Sequence, residues 1–472
     1  MSMISRCESS RCDAFSRTTE LEFQDISSFS PVYEQAAPNE TIELGKVRIT
    51  LDEPNATGLY NPEASLSLRF QPDPRLILEV QASGIEFLNH QSLTPPSIVR
   101  VHFDQFGGEA DFFVGDLRKS SVDFWSRSSQ IQIVSSSSSI NKAVFHLFNW
   151  PDFWGEVRRV GSETTFRAIE LEAGPWKVSI YGPERTTALV KTLERTGGYV
   201  LTHIGSITRV DKATFSKADL DDLLQKLYLF FTFALGKSTS PCLALGFDND
   251  GSIVFHQVGL GAVQSGGWKG SHSWLYQGGF HVMADVVNGF WSLCEQEVWK
   301  KALAEVISRY SQANIAGYGD LWQSSALLHS QAALELLAWT YLVCDRKSMS
   351  MSISEFKKPP MSKNFCSLVT KMKIPVEIPP CLESLRQLMS TKKDWDNPMK
   401  LIADIRNQVA HAEKGSEFTD AEYFDAWRLS MWYLDLILLR LCGYNGRYSN
   451  RLSYEHELVP WAVDQPSAVD HL

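Results

Sequence analysis

Arg406 and His411 stand five positions apart in the segment Asp404-Ile405-Arg406-Asn407-Gln408-Val409-Ala410-His411, and the pair carries the groups that phosphodiester cleavage needs. An imidazole, with an ordinary pKa near ~6.5, gives or takes a proton at neutral pH. A guanidinium holds a phosphate, and the charge developing on it, in a planar fork. Asn407 would position a ribose or orient the imidazole. RNA brings its own nucleophile in the 2′-hydroxyl, so the reaction requires neither metal nor cofactor. The spacing alone is cheap: with 23 Arg and 11 His among 472 residues, chance supplies about 0.5 occurrences of Arg-x4-His. Requiring Asn directly after the Arg lowers that expectation to a few per cent.

On a helix turning about 100° per residue, Asp404, Asn407 and His411 share one narrow face. Ile402, Ile405 and Val409 lie opposite and would anchor the helix in a core. The histidine is therefore expected to point away from the packed side. Arg406 sits about 140° round the helix from His411. For both to touch one phosphate, the arginine must reach round, the helix must bend, or a second subunit must supply the missing group. The plainer alternative is a surface helix with both side chains in water.

Charge is distributed to suit an RNA site. Arg346 to Lys414 holds 13 basic and 7 acidic residues, a net +6 that leaves −16 for the rest of a chain whose total is −10. Within that stretch Lys392, Lys393, Lys400 and Lys414 are candidate contacts to an RNA backbone. A merely solvated lysine face is the competing reading.

The elements that must position these residues fall into an α+β arrangement. From about 20 to 210 the chain shows short runs rich in β-branched and aromatic residues: Lys46–Leu51, Leu66–Phe70, Leu76–Val80, Ile98–Phe103, Ala110–Val114, Ile131–Val134, Ala143–Phe148, Thr165–Glu172 and Trp176–Tyr181. Turn formers separate them, which predicts a sandwich or barrel-like region. A mixed central segment follows, with a helix over Asp219–Leu235 and a hairpin turning at Asp248-Asn249-Asp250-Gly251. From about 282 the pattern is helical: His281–Tyr310, Trp322–Val343, Cys366–Lys373, Leu382–Met389, Pro398–Ala412 and Ala421–Cys442, with Arg346–Pro360 expected as a loop. In the last helix Trp427, Met431, Leu434, Leu438 and Leu441 form a seam for another helix.

The motif, set in this helical C-terminal region, resembles the signature of the HEPN superfamily, in which Arg, a polar residue, three variable positions and His sit in a four-helix domain. Ser330-Gln331-Ala332-Ala333-Leu334-Glu335-Leu336-Leu337 resembles that family's first helix, and the likeness covers about residues 320 to 450. The tail Tyr444-Asn445-Gly446-Arg447-Tyr448 is similar to that of bacterial ApeA-type members, which carry a large β-rich N-terminal region and act in abortive anti-phage defence. The resemblance implies a homodimer through the helical domain, with two motifs paired into one composite site. It also implies RNA cleavage without metal, leaving 2′,3′-cyclic phosphate and 5′-hydroxyl ends. Carried over, Arg406 binds phosphate, Asn407 assists and His411 is the acid and base. The expected division is an unstructured 1–19, a β-rich recognition domain over 20–197, a mixed region over 198–315, a HEPN-type domain over 316–450 and a tail over 451–472. The first domains would sense a trigger, such as a phage product, and the helical domain would cut RNA. The rival is a non-catalytic dimerisation or RNA-binding scaffold.

Other constellations read as structure. His256, His272 and His281 match no metal template. Asp248-Asn249-Asp250-Gly251 opens like a calcium loop but lacks the later acidic ligand. Trp125, Trp150, Trp154 and Trp176 either line a cleft or fill a core, and core is the expectation. The eight cysteines form no CxxC pair, Met1 to Arg17 lacks the apolar stretch of a signal peptide, and no run reaches the ~18 apolar residues of a membrane span. A soluble, cytoplasmic protein without membrane contact is expected.

Overall fold

The computed structural model describes residues 33, 35–52, 63–71, 74–81, 98–103, 109–117, 121–126, 130–134, 139–160, 163–260, 271–276, 279–318, 323–391, 395, 397–410 and 418–463. The first six strands are β1 (Ile42–Asp52), β2 (Glu63–Arg69), β3 (Arg75–Gln81), β4 (Ile98–Phe103), β5 (Glu109–Leu117) and β6 (Ser121–Ser126). They close into an antiparallel barrel in the order β1-β2-β3-β6-β5-β4. An apolar interior makes the closure worthwhile: Ile49, Leu66, Leu78, Val101, Phe112 and Phe124, one from each strand, are all buried in the barrel core. Closure also removes exposed sheet edges. Of the sandwich and the barrel, the barrel is what forms.

A second sheet follows, built from β7 (Gln130–Val134), β8 (Lys142–Phe148), β9 (Glu156–Val160), β10 (Glu163–Ala173), β11 (Trp176–Tyr181), β12 (Leu201–Arg209), β13 (Cys242–Phe247) and β14 (Ile253–Gly259). Its order is β7-β14-β13-β8-β12-β11-β10-β9. The expected boundary at 197/198 falls between β11 and β12, which pair directly from Trp176↔Arg209 to Tyr181↔Ile204. Both faces of this sheet are covered. Along β8, Val144 and Phe148 join the barrel core, whereas Ala143, Phe145 and Leu147 join the core beneath the helices. That is why the strand reads as a nearly continuous apolar run. At the predicted hairpin Asp248 Oδ1 accepts from the backbone N–H of Asp250 and Ser252, and Gly251 takes φ 80°.

The helices are α1 (Thr186–Thr196), α2 (Lys217–Leu235), α3 (Val282–Cys294), α4 (Glu297–Gly317), α5 (Gln323–Trp339), α6 (Ile353–Lys357), α7 (Met361–Lys371), α8 (Glu383–Thr391), α9 (Pro398–Ala410) and α10 (Asp420–Leu441). Three differ from the sequence reading. Helix α1 lies within a stretch read as strands. The helix expected over His281–Tyr310 is two, because Gln296 turns extended at ψ 120°. The expected loop Arg346–Pro360 contains α6, started by a capping box in which Ser352 and Glu355 satisfy each other's backbone donors. Helices α2 and α3 lie on the sheet, α4 packs on both, and α5 packs against α4, α7, α9 and α10. One apolar core therefore runs from the sheet into the helical region.

The C-terminal segment is folded in. Strands β15 (Arg447–Ser449) and β16 (His456–Leu458) form a hairpin beside α10, and Trp461 Nε1 donates to Tyr444 O at 2.8 Å. Between them Arg451 enters the core, where its Nε donates to Asp435 Oδ2 at 2.6 Å and its Nη1 to Asn314 Oδ1 at 3.0 Å. The Tyr310 hydroxyl donates to the second Asp435 oxygen at 2.6 Å, and Asn314 Nδ2 donates to the carbonyls of Gly236 and His272. One network thus ties α10, α4, the end of α2 and the C-terminal turn together.

Candidate functional site

Helix α9 begins with Asn397, whose Oδ1 accepts from Lys400 N at 2.9 Å, and Pro398, whose fixed φ suits a first helical position. Its packed face is Met399, Leu401, Ile402 and Ile405, all nearly inaccessible, while Val409 is half-buried. The anchoring stripe expected from spacing is therefore present at Ile402 and Ile405 and weaker at Val409. The polar residues Asp404, Arg406 and Asn407 are half-buried.

Arg406 is held from two sides. Its Nη1 donates to Asn407 Oδ1 at 3.1 Å, and its Nη2 lies 3.8 Å from Glu335 Oε1 on α5. Its Nε is enclosed without a hydrogen-bond partner. At 3.8 Å the Glu335 contact is an ion pair rather than a formed hydrogen bond, so donors remain that a phosphate oxygen would satisfy. Asp404 turns to other work, accepting from the indole of buried Trp395 at 2.9 Å, which fixes the entry of α9. A narrow cleft beside these residues, between α5, α7 and α9, is lined by Leu334, Phe365, Met399 and Ile402 with Gln331 and Glu335.

Of the residues singled out by sequence, Arg406 and Asn407 are adjacent and in contact. Lys400 lies six residues, ~9 Å of helix rise, before Arg406 and is half-buried. His411, Lys392, Lys393 and Lys414 lie outside the described residues. Two partners escaped the sequence reading: Glu335, 71 positions before the arginine it faces, and Trp395, which holds Asp404. Nothing in the spacing of α9 points to either. The Arg-x4-His spacing recurs at Arg451 and His456, without the following Asn. That arginine is buried and committed to Asp435, and no helix carries the pair, so the recurrence forms no phosphate site.

The remaining candidates separate. His256 shares a 2.8 Å hydrogen bond with the Tyr33 hydroxyl, His272 lies between Tyr318 and Tyr454, and His281 precedes α3. Among the described residues no group of three or more His, Cys, Asp or Glu is placed to hold a metal ion. Trp150 and Trp176 are core, Trp125 lies under the Arg75 guanidinium at 4.2 Å, and Trp154 is 71% exposed, so the four line no common cleft. No helix among the described residues is long and apolar enough to cross a membrane.

Comparison with known proteins adds a relationship without an activity. Residues 135–265 match the family model described as the YopA central domain, and residues 296–461 match the YopA C-terminal domain. The first stretch takes in β8 to β14 with α1 and α2; the second runs from α4 through the C-terminal hairpin. The barrel lies outside both. Over 447 residues, 90% of this chain and 95% of the relative, the chain is 24% identical to the SPbeta prophage-derived uncharacterized protein YopA of Bacillus subtilis (strain 168). No solved structure matches.

Proposed function

We propose that this protein is a cytoplasmic, metal-independent endoribonuclease of the HEPN type, acting as an effector of anti-phage defence through Arg406, Asn407 and His411. The observation that carries the reading is the state of Arg406. It is half-exposed on α9, oriented by Asn407 and by Glu335 of a neighbouring helix, with a loosely held Nη2. An arginine poised in this way supports phosphate binding, and an imidazole five residues on supplies proton transfer. A homodimer through the helical region would bring a second motif to the same phosphate and remove the ~140° separation. The prophage origin of the Bacillus subtilis relative is in keeping with a role in phage–host conflict. The barrel and the eight-stranded sheet are then the parts that receive a phage-derived trigger.

A second reading, a non-catalytic dimerisation or RNA-binding scaffold, draws on the same contact: Glu335 already offers Arg406 an opposite charge. Purified protein and its His411→Ala variant, incubated with mixed RNA in excess EDTA, separate the two. The enzyme reading expects cleavage with cyclic-phosphate ends, reduced about 10²–10⁴-fold by His411→Ala. RNA binding without cleavage, including after exposure to lysate from phage-infected cells, would favour the scaffold. Equal cleavage by both proteins would place the activity elsewhere.

A further inference from the structure

Beside Arg428 of α10, three aromatic rings meet at the surface. Tyr318, at the end of α4, stacks on His272 with centroids 6.0 Å apart, and Tyr454 meets His272 in a T-shaped contact at 4.9 Å. Tyr318 is 42% exposed and Tyr454 56%, high values for rings of this size. Arg428 of α10 lies 5.9 Å from the Tyr454 ring and donates to Leu452 O at 2.7 Å, so the turn bearing Tyr454 is tied to the helix. Burial, followed by the positive charge of Arg451, holds the His272 pKa below its ordinary value, which favours the neutral ring.

Tyr454 also stands at φ 62°, in the left-handed region that an L side chain adopts at a cost. Its N–H donates to Asn450 O at 2.7 Å, closing a turn that glycine would form without strain. The fold thus retains a strained tyrosine whose ring is more than half in solvent. Burial does not account for it.

We propose that Tyr318, His272 and Tyr454 form a platform on which unpaired bases of single-stranded RNA stack. The inference rests on the ribonuclease reading for its ligand, yet it concerns a separate surface. Flat faces suit every base, whereas a duplex offers only its stacked edges.

The test uses the full-length chain in a His411→Ala background, with a fluorescein-labelled single-stranded 12-mer and a duplex of the same sequence, followed by anisotropy in EDTA. Tyr318→Ala combined with Tyr454→Gly should weaken single-strand binding at least about tenfold. Duplex binding should change less than twofold, and Tyr318→Phe with Tyr454→Phe should bind like the parent. Tyr454→Gly removes the ring while relieving the backbone, so an unchanged or raised melting temperature shows that the fold is intact. Unaltered single-strand binding in the ring-less variant overturns the platform and leaves the nuclease reading standing. Equal losses on single strand and duplex also overturn it, since stacking is then not the cause. A parent that binds no RNA, while the His411-bearing protein also fails to cleave, overturns both.

Discussion

An Asp435→Ala variant is expected to lose about 3–5 kcal/mol of stability, enough to lower the melting temperature by on the order of 10 °C. The carboxylate is fully buried and carries two short contacts, from Arg451 Nε and from the Tyr310 hydroxyl, both at 2.6 Å. Removing it leaves a guanidinium charged and unpaired in the core, and that desolvated charge, rather than the lost attraction, dominates the cost. Burial, more than the adjacent Asp435, holds the Tyr310 pKa well above its ordinary value, and that burial persists in the variant, so the phenol is a poor replacement for the lost anion. Arg451→Met should cost a similar amount by the converse route. Combining Arg451→Met with Asp435→Leu removes both charges together and should recover much of the loss. Thermal melts of the three variants decide the matter: single losses under about 1 kcal/mol, or a double variant as weak as the sum of the singles, would show that the pair is not the junction's main tie.

The contrast between this network and α10 explains how much was legible in the sequence. Trp427, Met431, Leu434 and Leu438 announce α10 because their spacing is local, and all four are buried. The alternation in β2 and β3 is equally local, and both strands lie where the pattern puts them. Pairing is a different matter. Nothing in the run 98–103 states that β4 must close on β1, and nothing in 201–209 that β12 must lie between β8 and β11. Those choices are made by complementary faces across long sequence separations. The same limit applies at the candidate site. Arg406 and Asn407 were legible because one helix carries both. Glu335 was not, because the contact depends on how α5 and α9 pack. The short helix α6 was missed for another reason: its capping box was there to read, but the serine-rich surroundings resembled a loop.

The second large effect concerns acid. Three histidines are built into the interior as neutral rings. Burial pushes His146 and His256 down to about 4 and His203 to about 3. Their surroundings show why no proton is welcome. His146 makes a 3.0 Å hydrogen bond from Nδ1 to Leu243 O and has no partner at Nε2. His203 has no partner at either nitrogen and stacks on Phe153, with ring centroids 5.2 Å apart. His256 and His146 also repel each other when charged. Each folded pKa lies below the unfolded value, so the stabilising contribution is complete above about pH 6.5 and is lost as the pH falls towards 4, because the unfolded chain takes up protons first. By pH 5 the difference is about 2 kcal/mol per histidine, about 6 kcal/mol for three, which is comparable to the whole stability of an ordinary domain. Cooperative unfolding is therefore expected between pH 6 and about 4.5, well above the range where carboxylate protonation alone denatures most proteins. Tryptophan fluorescence followed from pH 8 to pH 4 would report it. His203→Phe isolates one contribution: the site is already aromatic, and the imidazole nitrogens make no bonds to lose. That variant should melt near the wild-type temperature at pH 8 and unfold at a pH lower by several tenths of a unit. Wild-type protein that stays folded at pH 4, or a variant with an unshifted acid midpoint, would mean that these rings meet the proton at less cost than their burial implies.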